Sequence, residues 1–168
     1  MNNPELKPMN DAATAKERVA VDAKLEKKGR KVAFDIGEIQ MITAFESQNK
    51  IVTSMKRELS TLRQEHQALA ESILRENLSP NMEDLARLEA VQDQLVKQYT
   101  ETLAAEKQRA EIQRELAERN PEAHDGDYKI EAASVAASEA AFKKELQLME
   151  KQKEEVIEII RERLFKKN

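Results

Sequence analysis

Few side chains in this sequence are of a type and spacing that could do chemistry. The chain has only two histidines, His66 and His124, and no cysteine. A carboxylate-bridged metal pair in a helical bundle needs Glu-x-x-His on facing helices, but the residues three before the histidines are Arg63 and Pro121. Glu122, His124, Asp125 and Asp127 form one short cluster of potential ligands. A calcium loop needs a longer alternation of oxygen donors and a distal Glu in fixed register, so the cluster reads as a solvated turn that caps a helix. The glycines, Gly29, Gly37 and Gly126, make neither a phosphate loop nor a dinucleotide fingerprint. We expect no catalytic residue, no metal, no cofactor and no small-molecule substrate: the chain reads as a non-enzyme.

Binding chemistry is better represented. Lys24, Lys27, Lys28, Arg30 and Lys31 place five basic groups in eight positions, next to Gly29 and Gly37. Such a run can neutralise phosphates, but no aromatic is interleaved for base stacking. Leu25 alone is too little apolar surface for a membrane helix. Docking on an acidic protein surface and a plain solvated junction are the main readings of this run, with nucleic-acid association as the alternative. A second candidate contact lies at the other end. The tract from Val156 to Lys167 holds more apolar positions than one helix stripe requires, and Ile157, Ile159 and Phe165 are expected to point away from the seam, towards either a second packing element of the fold, such as the N-terminal arm, or another molecule.

These contacts need elements to carry them, and the composition points to long helices. Of the 168 residues, 36% are charged and 4% aromatic, and Gly and Pro together fill only seven positions. Such a chain has little material for strands or tight turns and builds a thin aliphatic seam in place of a thick core. The charge is uneven. Residues 1–31 carry eight Lys/Arg against five Asp/Glu and residues 161–168 four against one, so the body between them is at −10 in a chain of net −4. No early apolar segment resembles a secretory signal and no run approaches a membrane span; with no cysteine, the expectation is a cytoplasmic or particle-internal protein.

Two breaks divide the remainder. At Asn77 to Asn81, Ser79 is placed to cap a helix beginning at Pro80; at Arg119 to Asp127, Pro121 stops one helix and Asp125 or Asp127 is placed to cap the next. Three helices follow, at about 39–77, 80–119 and 127–166, each roughly 57 Å long at the standard rise. The first carries a stripe at Ile39, Ile42, Phe45, Val52, Met55, Leu59, Leu62, His66, Leu69 and Ile73, with a gap at Asn49. The second carries Leu85, Leu88, Val91, Leu95, Tyr99, Leu103, Ala110 and Leu116, and the third Ala132, Val135, Phe142, Leu146, Met149, Val156 and Ile160. Folding at Ser79 sets Ile73 against Leu85, Leu62 against Leu95 and Leu59 against Tyr99; folding near Ala123 sets Phe142 against Leu103 and Leu146 against Tyr99. His66, lying on the stripe, is expected to be a neutral, hydrogen-bonded core histidine.

The fold class expected is therefore all-α: an elongated, antiparallel, coiled-coil-like three-helix bundle running up-down-up over residues 39–168. Ahead of it come a flexible 1–10 and a basic arm or hinge at 11–38, where Val32, Phe34 and Ile36 alternate as in an irregular link. The function expected is that of a structural or adaptor protein, self-associating or built into a larger assembly through its arm and C-terminal helix. Nucleic-acid association through Lys24–Lys31, or a small helical chaperone that masks a partner helix, are the alternatives.

Overall fold

The structure, a computed structural model, describes residues 35–166. Their order is α1 (Ile36–Glu71), a π-helical turn (Ser72–Glu76), α2 (Met82–Arg119) and α3 (Pro121–Lys166), with no strand among the described residues. The helices pack α1 on α2 and α2 on α3 as an all-α three-helix bundle. No helix among them is long and apolar enough to cross a membrane.

The helix ends explain where the boundaries fall. Asp35 caps α1: its Oδ1 accepts from the Gly37 amide at 3.0 Å and its carbonyl from Ile39 at 3.1 Å. Ile36 and Gly37 are therefore helical, where the alternation of the sequence suggests an irregular link. At the far end α1 widens by one residue per turn, and Asn77 closes it by donating its amide to the Ser72 carbonyl at 2.9 Å. The cap of α2 is Asn81, not Ser79. Asn81 Oδ1 accepts from the Asp84 amide at 2.9 Å, and Asp84 Oδ2 accepts from the Asn81 amide at 3.0 Å, a reciprocal pair that satisfies two otherwise orphaned donors. The Ser79 amide instead donates to Asn77 Oδ1 at 3.0 Å.

The second hairpin is far tighter than expected. Only Asn120 separates α2 from α3, and Pro121 is the first residue of α3, a position where its missing N–H costs nothing. Helix α3 thus begins six residues before 127, and Asp125 and Asp127 lie inside it, past its N-terminal end. The register shifts accordingly: Phe142 stacks on Tyr99, with ring centroids 4.9 Å apart and planes 5° from parallel, one turn from the Leu103 that a wider loop predicts. Leu146, expected on the seam, is 41% exposed. The first hairpin keeps its expected partners, since Leu59 and Leu62 pack on Leu95 and Tyr99, and Ile73 clusters with Leu85.

The chain divides into two compact units. Residues 35–50 with Lys107–Ala133 form one, whose buried side chains include Leu116 and Ala117 but also Arg109, Gln113 and His124. Ile51–Glu106 with residues 134–166 form the other. Its core holds one cluster of Ala70, Ile73, Leu85, Leu88, Val156 and Ile160 and a second of Leu95, Tyr99 and Met149, with Leu59, Leu62, Val96 and Phe142 packed against it.

Candidate interaction site

Within the second unit, the start of α2 and the end of α3 enclose an apolar groove of about 530 Å³ lined by Met82, Leu85, Ile157, Ile160, Arg161, Leu164 and Phe165. Leu85 and Ile160 form its buried floor, while Met82, Leu164 and Phe165 are 64%, 61% and 72% exposed. The end of α3 builds this face because it carries two adjacent apolar stripes. Val156 and Ile160 occupy the one that packs on α1 and α2; Ile157 and Phe165 lie about a quarter-turn or more from them around the helix, and Leu164, one turn beyond Ile160, joins the two stripes at the open end. A contiguous apolar face of this kind is an unusual surface feature, unlike scattered exposed leucines.

Of the three C-terminal residues singled out from the sequence, Ile157 and Phe165 line the groove together. Ile159 is half-buried and does not line it. Met82 and Leu85 were not among those candidates, because only the packing of α2 against α3 brings residues 82 and 164 to one place. Lys24, Lys27, Lys28, Arg30 and Lys31, with the 1–10 segment and the arm up to residue 34, lie outside the described residues.

The second finding is a ladder of buried polar side chains on α2. Leu85, Leu88, Gln92, Leu95, Tyr99, Thr102, Glu106, Arg109, Gln113 and Leu116 are all buried, at alternating steps of three and four, the 3.5-residue period of coiled-coil packing. The sequence stripe substitutes Val91, Leu103 and Ala110 for Gln92, Thr102 and Arg109; in the structure those three are half-buried. Choosing apolar residues hid the true period.

Each polar rung has partners. In the first unit, Arg109 donates to Glu131 Oε2 at 3.0 Å and to Asn49 Oδ1 at 2.8 Å, so the gap in the α1 stripe at Asn49 is the α1 half of a polar layer. Gln113 donates to the His124 carbonyl at 3.3 Å, and His124 Nε2 lies 2.7 Å from Glu38 Oε2. His124 therefore turns inward from the first turn of α3, while Asp125 pairs outward with Lys129 at 3.3 Å. The expected solvated loop of ligands is a helix with its residues on different faces, and among the described residues no three such side chains converge on a metal position.

In the second unit, buried Glu106 meets Lys56 at 3.3 Å and accepts from Ser138 at 2.9 Å. Nearer the groove, His66 and Gln92 are buried side by side, with Glu145 and Arg63 at the edge of an open cleft of about 520 Å³. Burial raises the Tyr99 phenol pKa, the Glu145 charge adding to the shift and Arg63 opposing it. These groups make hydrogen bonds and ion pairs and hold helices in register; nothing among them forms a nucleophile with an oriented base. Set against family models, curated proteins and solved structures, the chain matches none.

Proposed function

We propose that this is a non-enzymatic structural or adaptor protein whose helical bundle presents the end of α3 for protein contact, and that the groove receives a second copy of the same chain. One observation carries the reading: Met82, Ile157, Leu164 and Phe165 stand exposed or partly exposed around a floor of Leu85 and Ile160. The face supplies both a projecting ring, Phe165, and a recess able to receive one, which is what a two-fold, self-complementary interface needs. Its border carries both signs of charge, with Arg161 beside Glu158 at 3.3 Å and exposed Glu162 adjacent. Turned on itself about a two-fold axis, such a border can meet opposite charge, which selects orientation more than it adds affinity.

Light scattering of the full chain across concentration tests this. The expected result is a mass that is a multiple of 19.2 kDa, reduced to a single chain in the Leu164→Ser/Phe165→Ser double variant with helicity unchanged. Both side chains are more than half exposed, so the variant keeps the fold. A wild-type chain that remains monomeric at every concentration overturns the reading.

A further inference from the structure

His66 sits in the second unit at 2% exposure, surrounded by groups that dictate which of its nitrogens carries a proton. Gln92 Nε2 lies 3.2 Å from His66 Nε2 and 3.1 Å from the carbonyl oxygen of Met149 on α3. An amide nitrogen has two hydrogens to donate and does not accept, and a carbonyl oxygen only accepts. Gln92 therefore donates to both, His66 Nε2 is the bare nitrogen, and the proton of the neutral ring is on Nδ1. Nδ1 looks towards α3, where Glu145 Oε2 is 3.9 Å away and the Gln152 amide faces the ring. The charged groups lining the cleft beside the ring are Glu145 from α3, Arg63 and Glu71 from α1 and Arg75 from the π-helical turn; Arg63 holds Glu145 at 3.6 Å and Arg75 holds Glu71 at 3.9 Å. Gln152 Oε1, on the same side, is buried with no partner at hydrogen-bond geometry.

A proton arriving from water at Nε2 meets the Gln92 amide hydrogens head on. Gln92 cannot answer by turning its amide over, because its oxygen would then face the Met149 carbonyl oxygen. One of the two bonds must be given up, and the new positive charge is drawn to Glu145. We propose that His66 is a proton-operated latch: neutral, it ties α1 to α2 by accepting from Gln92; protonated, it gives up that bond, pairs with Glu145 and loosens α1 from α2 within this unit, while Gln92 keeps the Met149 carbonyl. The latch does not depend on the groove or on self-association.

Burial lowers the His66 pKa from 6.5, with the Glu145 charge and Gln152 acting against it. The folded protein thus resists the proton that an unfolded chain accepts. Between the folded and unfolded pKa values the unfolded state holds more protons, so stability rises with pH there. The contribution is fully present above the unfolded value of 6.5 and is lost as pH falls through the window down to the folded pKa.

Nitrogen-detected NMR of the histidines in the full chain reads the latch directly. The expected result at neutral pH is the Nδ1–H tautomer for His66, the minor form in water, titrating below its ordinary value. On acidification, amides around His66 and Gln92 lose exchange protection beyond the intrinsic pH effect. Unfolding in the acidic window takes up about one more proton in the wild type than in His66→Leu, while His124→Gln retains that uptake. Should His66→Leu fail to fold, Glu145→Gln serves: the His66 titration shifts further down, since its counter-charge is gone. An Nε2–H tautomer, a titration at or above 6.5, or exchange protection around His66 and Gln92 that does not change on acidification overturns the proposal.

Discussion

Arg109 on α2 and Glu131 on α3 meet at 3.0 Å with both side chains nearly out of water, 10% and 15% exposed, and the same guanidinium reaches across to Asn49 on α1. One residue thus ties three helix segments through charge-assisted bonds at a point where a coiled-coil seam ordinarily buries leucine. Arg109→Ala strands the Glu131 carboxylate, and we expect it to cost about 3–5 kcal/mol. The double change Arg109→Met/Glu131→Leu, which removes both charges and restores apolar volume, should recover most of that loss or exceed the wild type. Urea unfolding of the single and double variants distinguishes a register device from a stabilising one.

Leu146 and Met149 lie three residues apart on α3; the sequence stripe includes both, whereas the structure buries Met149 alone. With Leu146 41% exposed and Met149 3% exposed, Leu146→Lys should change stability by no more than about 0.5 kcal/mol, whereas Met149→Ala should cost about 2–5 kcal/mol. The reverse ranking in thermal melts would mean that α3 starts beyond Pro121.

Caps offer a second contrast. Asn81→Ala removes the acceptor of the Asp84 amide and should cost about 1 kcal/mol. Ser79→Ala should leave stability within about 0.5 kcal/mol, because at Ser79 only the backbone amide is engaged in the cap region. Helical content and melting temperature of the two variants check the assignment.

The two helical glycines among the described residues should respond to different degrees. A Cβ at Gly126 meets nothing within 4 Å, so Gly126→Ala should stabilise the chain by about 0.8–1 kcal/mol through helix propensity. At Gly37 the added carbon runs into the Arg119 guanidinium, which is held by Asp35 at 2.7 Å. Gly37→Ala gains the same propensity but displaces that exposed bridge, worth about 0–1 kcal/mol, so the net change should be smaller than at Gly126. Paired denaturation curves read the difference.

Much of this architecture was legible in the amino-acid sequence because helix formation and apolar burial are decided by local composition and spacing. The absence of Gly, Pro and aromatics over long stretches forces helices, and the apolar steps from Leu59 to Ile73 and from Leu85 to Tyr99 leave one pairing across the first turn. The surplus of Ile157 and Phe165 was visible for the same reason, as apolar residues beyond the needs of one stripe. The tertiary structure decided everything that depends on where polar groups end up. Gln92, Glu106, Arg109 and Gln113 are ordinary surface residues by type, and they lie inside because hydrogen-bond partners on neighbouring helices meet them there. A one-residue connection at Asn120 sets the register of α3, and with it the stacking of Phe142 on Tyr99, the meeting of Met82 with Leu164 around the groove, and the tether from His66 through Gln92 to Met149. Those relations join residues far apart in sequence, and only packing brings them together.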